Sequence, residues 1–363
     1  MKTFPLQSLT LSQAMQKQFE LVAAITRHFT DGEFLLGADL GLKCGLNQPK
    51  TTFLVENAIA DFFQAEAAVL VQGAGSGAIR EGLAALLKAN QRILIHTAPV
   101  YPTTKTTFEL MGLEVVQADF NQAAQFQMAL AHFQPQAVLI QHTRQQPQDS
   151  FDLAQILTCC QEKNIPTLVD DNYAVMKVMN IGCELGATLS TFSSFKLFGP
   201  EGVGVIVGDS ATIIKIRQSH YSGGCQIQGH LAMEVLRGLV FAPVMQAVQA
   251  QVNDELVERL NNGAVPQVKS AFLANAQSKV LIVEFFDEIA EQVLQTAPRF
   301  GALPYPVGAE SKYEVPPLFY RVSGTFRQSD PGLEKRTIRI NPNRAGAETV
   351  LTILKQSLSA LSS

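Results

Sequence analysis

Between residues 65 and 208, short apolar runs alternate with segments whose apolar positions recur every three to four residues. The runs are "AAVLVQ" (67–72), "RILIH" (92–96), "LEVVQA" (113–118), "AVLIQ" (137–141), "PTLVD" (166–170), "TLSTFS" (188–193) and "GVGVIVG" (202–208). Most are near-continuous leucine or β-branched stretches, as strands buried on both faces of a parallel sheet require. Between them, "AIREGLAALLKAN" (78–90) and "LAQILTCCQEKN" (153–164) have helical spacing. The alternation predicts an α/β fold with a mainly parallel, roughly seven-stranded doubly wound sheet. A helical stretch over 227–262 follows, and Pro243 is expected to interrupt it. Farther on, 278–285, 318–324 and 336–343 read as strands of a smaller C-terminal α+β domain. The expected division is an N-terminal helical segment (1–45), a large domain (46–250) and a small one (251–363).

Composition narrows the function classes. Of 363 residues, 47% are hydrophobic and 17% charged, as in a globular chain with ample core. A net charge of −4 without basic clusters gives no reason to expect nucleic acid. The N-terminus lacks the apolar stretch of a signal peptide, no charge-free run is long enough for a bilayer, and a cytoplasmic location is expected. The five cysteines (Cys44, Cys159, Cys160, Cys183 and Cys225) have no metal-ligand spacing and suggest reduced thiols. Cys183 reads as a buried small residue, and Met15 and Met176 as core. The six histidines are dispersed, so metal catalysis has little support.

Chemistry concentrates where strands end. In "VLVQGAGSGAIREG", glycines and Ser76 stand between a strand and a helix, a natural phosphate site. Gly73-x-Gly75-x-x-Ala78 also meets the loose dinucleotide pattern, but "RILIH" is not followed by the carboxylate that would hold a ribose. A nicotinamide-dependent dehydrogenase is therefore the weaker reading, and a tight βα turn is the bland one. "PTLVDDNYAV" ends a buried strand with Asp170 and Asp171, of which Asp170 is better placed to reach a crevice, although such aspartates often only cap helices. Lys196 follows after "TLSTFS", between Phe195 and Leu197. A lysine in apolar company either snorkels to the surface or is kept poorly solvated, which favours its neutral, nucleophilic form. A phosphate cradle, a carboxylate and such an amine together suit pyridoxal 5'-phosphate, whose phosphate, pyridine nitrogen and aldehyde each need one of them.

On these residues the chain resembles the fold-type I pyridoxal-phosphate enzymes, the aminotransferase superfamily and its Cys/Met-metabolism branch, over about residues 45–345. "KLFGPEGVGVIVG" is most similar to class V aminotransferases. The resemblance implies that Lys196 bonds the cofactor aldehyde and shuttles the substrate α-proton. Asp170 matches the carboxylate on the pyridine nitrogen, and Tyr173 a contact to the ring's phenolic oxygen. Gly75, Ser76 and Gly77 match the phosphate loop, with Ser193 as a second phosphate-binding hydroxyl. Tyr101 falls where an aromatic ring stacks on the cofactor, unless it is ordinary core. Arg339 resembles the arginine that clamps a substrate carboxylate, in competition with Arg321 and Arg327. Gly223, Gly224 and Gln226 match a glycine-rich active-site loop often found across a dimer interface, or form a surface turn. Three positions depart from the pattern. Phe195 precedes the lysine in place of Ser, Thr or His, and Gly204 stands where aminotransferases carry an arginine. Where relatives have Asn-Pro at the phenolic oxygen, Gln146-Pro147, His142 and Arg144 are the substitutes on offer. The expected activity is an aminotransferase on an amino-acid substrate, with a β/γ-lyase of sulfur-containing amino acids as the alternative and a non-catalytic binding module more remote. A homodimer or higher homo-oligomer is expected, without nucleic-acid or membrane partners.

Overall fold

All seven apolar runs of the first 208 residues pair into one sheet in a computed structural model of the chain. It describes residues 2–361 except 145, 275–279, 309 and 331. The strands are β1 (Ala67–Gln72), β2 (Arg92–His96), β3 (Glu114–Ala118), β4 (Ala137–Gln141), β5 (Thr167–Asp170), β6 (Leu189–Ser193) and β7 (Val203–Gly208). Their order is β1-β7-β6-β5-β4-β2-β3. Pairing is parallel from β3 across to β6, while β7 runs antiparallel to both β6 and β1. The sheet is thus mainly parallel, as the continuous apolar runs predict. β3 departs from them: as an edge strand it leaves Glu114 and Val115 exposed.

Alternate side chains divide the core between the two faces. Val69, Val71, Ile93, Leu139, Leu168 and Ile206 pack with Ala78, Ile79 and Leu83 of α3 (Ala74–Leu86). On the other face, Leu70, Phe192 and Val205 meet α1 (Leu11–His28) and α2 (Lys50–Phe62) through Leu21, Val55 and Ile59. Of the remaining helices, α4 (Pro102–Met111) and α7 (Ser210–Ser219) pack on the α3 face through Phe108, Ile213 and Ile216, and α5 (Ala123–Phe133) and α6 (Leu153–Gln161) on the other through Phe126, Leu130, Ile156 and Leu157. Each fully buried Phe or Leu contributes about 1.5–3 kcal/mol. Met176 lies in this core at 2% exposure, whereas Met15, expected there, is 43% exposed on the outer side of α1.

The helix α8 (Gly229–Asn261) is continuous through Pro243, against the expected interruption. Proline there removes one donor and crowds the Leu239 carbonyl. Burial of Leu236, Leu239 and Ala242 before it, and of Leu256 and Leu260 after it, offsets that cost. By length and composition α8 could cross a bilayer, but 56% of its most apolar stretch is buried inside the protein. The chain forms two compact units, 12–143 with 150–243, and 244–363 with 1–11 and 144–149. The second contains β8 (Val268–Leu273), β9 (Leu281–Phe285), β10 (Leu318–Arg321) and β11 (Thr337–Asn341), all antiparallel in the order β10-β11-β9-β8. Of the run expected from 278, Ser278 and Lys279 lie outside the described residues. The helices α9 (Ala290–Thr296), α10 (Gly324–Ser329), α11 (Leu333–Arg336) and α12 (Ala347–Ser359) complete this α+β unit. Val293 of α9 and Val350 and Leu354 of α12 share its core with Val283 and Ile338 of the sheet.

Candidate active site

Helix α3 begins directly after β1, and glycine makes that possible. Gly73 adopts φ 94°, and the N–H groups of Gly73 and Ala74 donate to the Gly202 carbonyl at 2.8 and 3.0 Å. The Gly77 N–H closes the first helical turn on Gly73 O at 2.8 Å. A Cβ on Gly77 would stand 1.9 Å from the Gln72 carbonyl oxygen, so only glycine fits. By position, the N–H groups of Gly75 and Ser76 have no acceptor within the helix and carry its positive end. The Ser76 hydroxyl lies 2.7 Å from that of Thr103, a residue that sequence reasoning did not single out.

The carboxyl ends of β4, β5 and β6 carry the ionisable groups. Asp170 ends β5, and its Oδ1 accepts from the Asn172 backbone N–H at 3.0 Å and from Asn172 Nδ2 at 2.7 Å. The local turn bond expected of a capping aspartate is therefore present, together with a second, side-chain bond. Burial pushes the Asp170 carboxyl above the usual range; the Asn172 donors and the Lys196 ammonium pull it back, and Asp171 adds to the rise. Asn172 is the hub of this region. Its Oδ1 also accepts from the Ser193 N–H at 2.9 Å, and a Cβ on Gly75 would fall 2.6 Å from its amide nitrogen. One amide thus touches the glycine turn before α3, the β5 carboxylate and the end of β6. No local motif announces this, because Asn172 and Ser193 are 21 residues apart.

Lys196 sits in the 3-10 turn Ser194–Leu197, immediately after β6. Ser194 Oγ ties the turn down, reaching the Pro200 and Val203 carbonyls at 2.9 Å each. From the other side α8 approaches so closely that a Cβ on Gly238 would be 2.6 Å from the Leu197 oxygen. The ammonium of Lys196 is 3.6 Å from the centre of the Tyr173 ring, a cation–π contact. Tyr173 is held at φ 67°, a left-handed conformation that costs an ordinary residue about 1–2 kcal/mol. Asp170, Tyr173, Ser193 and Lys196 thus share one end of the sheet with the start of α3.

The other residues singled out from sequence are placed differently. Tyr101 is 59% exposed at the start of α4, so it is not ordinary core. Gly224 accepts from Gln72 Nε2 at 2.6 Å, and Gln226 Nε2 donates to His220 O at 2.6 Å, which fastens the glycine-rich loop beside the end of β1. His142, at the end of β4, points its Nδ1 at Asp171. Arg144 donates to the Phe4 carbonyl and the Gln146 N–H to Asp149, both within the C-terminal unit. Arg339, also in that unit, lays its guanidinium 3.9 Å from the Tyr320 ring centre and donates from Nε to Arg321 O. Arg327 is paired with Glu334 at 3.1 Å, and Arg321 is exposed. Cys183 is half-buried, with burial pushing its thiol up to about 12. Among the described residues no cluster could hold a metal ion.

Gly204 has a structural reason to lack a side chain. It lies on β7 opposite Val71, and a Cβ there would be 2.2 Å from the Ala74 carbonyl oxygen at the start of α3. The space that an arginine would need is filled by backbone. Gly204→Ala is expected to lower stability by about 1–3 kcal/mol and to weaken cofactor retention, checked by thermal melts with and without cofactor; an unchanged melt would show that α3 yields freely.

The donor set fits a phosphorylated pyridine aldehyde. The first turn of α3 with Ser76 suits the phosphate, the Asp170 carboxylate the ring nitrogen, and the Lys196 amine the aldehyde. Comparisons with known proteins agree. Residues 49–297 match the model of the family "aminotransferase class I and II", and 254–354 match that of "YhfS-like, C-terminal domain". The chain is 63% identical over 361 residues to the protein YhfS of Escherichia coli (strain K12), covering 99% of this chain and 100% of that one. The crystal structure of that pyridoxal-5'-phosphate-dependent protein superposes with a TM-score of 0.98, at 64% identity over 99% and 100% of the two chains. A cystathionine gamma-lyase, CalE6 of Micromonospora echinospora, superposes with a TM-score of 0.75 at 18% identity, covering 94% of this chain and 98% of that one.

Proposed function

The chain belongs to the aminotransferase class I and II family of fold-type I pyridoxal-phosphate-dependent enzymes, and we propose that it removes the α-proton of an amino-acid substrate with Lys196 and completes a transamination. The observation that carries this reading is the placement of the Lys196 ammonium over Tyr173 at the sheet end that also holds Asp170 and Ser193. When bound, pyridoxal phosphate supplies an aldehyde that links amines and a protonated ring that draws electrons from the substrate's α-carbon. Asp170 holds the ring nitrogen protonated, and Asn172 fixes the direction of that carboxylate. Gly75, Ser76 and Gly77, with Ser193, hold the phosphate. Gly77 acts by letting α3 start where it does, because its own N–H is spent on Gly73. Lys196 would bond the cofactor aldehyde at rest and, as a free amine, would hold and move the substrate's α-proton. Tyr173 supports the ammonium and the ring's phenolic oxygen, Tyr101 stacks on the ring, and Arg339 receives the substrate carboxylate. The exposed Tyr101 and Tyr221 of the first unit are consistent with a homo-oligomer that covers them. We place the enzyme in the cytoplasm, in keeping with its five free thiols.

A second reading is elimination at the β- or γ-carbon. It is favoured by the absence of an arginine at Gly204 and by relatives such as CalE6 and a cystathionine gamma-synthase from Xanthomonas oryzae pv. oryzae. Mixing the holoenzyme with a panel of amino acids separates the two. Keto acid without ammonia, with the cofactor left in its amine form until a second keto acid is added, is the expected result. Release of ammonia or sulfide with no need for an acceptor would replace transamination by elimination.

A further inference from the structure

Immediately behind Asp170 lies a second ionisable pair that the proposed chemistry does not use. His142 Nδ1 is 2.6 Å from Asp171 Oδ1, with side-chain exposures of 7% and 0%. The Gly182 N–H reaches both Asp171 oxygens, at 3.3 and 3.2 Å. The His142 backbone N–H donates to the Asp170 carbonyl at 3.0 Å, so one histidine grips both consecutive aspartates. The two carboxylates serve different partners. Asp170 bonds to Asn172 at the site end, while Asp171 is turned into the core toward β4.

A buried carboxylate beside a histidine is stable when the two together are neutral. Its charge acts at short range on the next residue through protein of low polarisability. We propose that His142 and Asp171 are a positioning pair: the His142 charge cancels that of Asp171, and this balance fixes the potential at Asp170 and Lys196. The inference rests on the reading of those two residues as cofactor partners. Asp171 raises the Asp170 carboxyl, in keeping with the close coupling. Other charged groups face the pair from neighbouring elements. Cys183 and Glu184 of the turn Cys183–Leu185 interact with Asp171. Lys17 of α1 lies 3.8 Å from Glu184, and Glu20 also acts on Glu184. The His142 ring is the side chain that lies at hydrogen-bond distance from Asp171 Oδ1 from the β4 side.

The test is the pH midpoint of the bound cofactor's visible absorbance, which reports the proton on its Lys196-linked nitrogen. His142→Asn keeps a donor where Nδ1 was but removes the charge, leaving Asp171 uncompensated; the midpoint is expected to rise by about 1 pH unit. Asp171→Asn removes the opposite charge, and the midpoint is expected to fall by a similar amount. The double variant is expected to return close to wild type, which loss of packing would not produce. Unmoved midpoints in both single variants overturn the inference and leave the cofactor site standing. A wild-type protein with no titrating band that borohydride fixes to Lys196 overturns both. If a variant fails to fold, linkage supplies the same answer in the wild type. The His142 imidazole NMR signals are expected to move when cofactor binds to the wild type, and unchanged signals refute the coupling.

Discussion

Lys196→Ala is expected to cut turnover by about 10⁴-fold, because one side chain supplies both the covalent tether and the α-proton carrier. The fold should hardly notice. Lys196 is half-buried in a short turn that Ser194 fastens through two carbonyls, and those bonds do not involve the lysine side chain. The cation–π contact with Tyr173 is worth about 0.5–1 kcal/mol at a partly exposed site, so the melting temperature should fall by only a few degrees. The alanine variant should still take up pyridoxal phosphate through the start of α3 and Asp170, yet borohydride should fix none of it to the protein. Lys196→Arg separates charge from chemistry. It restores a cation near Tyr173 but cannot offer a neutral amine, so its turnover should stay as low as that of the alanine variant. Wild-type turnover in Lys196→Ala, measured on the amino acid that the panel selects, would remove the lysine from the mechanism.

The parts of this molecule that are legible in sequence are those whose cause is local. "AVLIQ" and "GVGVIVG" are apolar throughout because β4 and β7 are covered on both faces, and they read correctly as strands. "VKSAFL" does not, because β8 mixes burial with exposure and has a register irregularity between Val268 and Ser270. Pro243 read as a break because its local cost is visible in sequence, while the burial on either side of it is not. At the site, a lysine between Phe195 and Leu197 and a strand ending in aspartate are local signals, and the sheet brings Lys196 and Asp170 to the same end. Asn172 went unremarked for the opposite reason. Its bonds to Asp170 and Ser193 and its close packing against Gly75 join three separate segments, and an asparagine after two aspartates looks like an ordinary turn residue. The His142–Asp171 pair is hidden likewise, across 29 residues. Gly204 was visible only as a missing arginine; the Ala74 carbonyl supplies the positive reason. The likeness to class V enzymes rested on "KLFGPEGVGVIVG" and on the loop "YSGGCQIQG", whereas the family that matches over 49–297 is that of class I and II.

Asp170→Asn separates activity from stability in the opposite direction to most active-site substitutions. The amide has the shape of the carboxyl and can still accept from both Asn172 donors through its oxygen, so the turn after β5 should persist. What disappears is the negative charge that keeps a ring nitrogen protonated, and turnover is expected to fall by about 10²–10³-fold. The folded apoprotein should gain. Burial is the largest influence on the Asp170 carboxyl and raises it above its usual value. A carboxyl whose proton is held more tightly in the folded than in the unfolded chain favours folding at low pH. That contribution is lost as pH rises from the unfolded value, about 3.9, through the higher folded one. Above the folded value wild type therefore bears the cost of a buried charge, which the asparagine variant does not. Its melting temperature should equal or exceed that of wild type at pH 7, and the difference should shrink as pH is lowered toward 4. A variant that melts lower than wild type at pH 7, with the gap unchanged at pH 4, would mean that Asp170 is held in the fold as a structural anion and not for its charge toward a ligand.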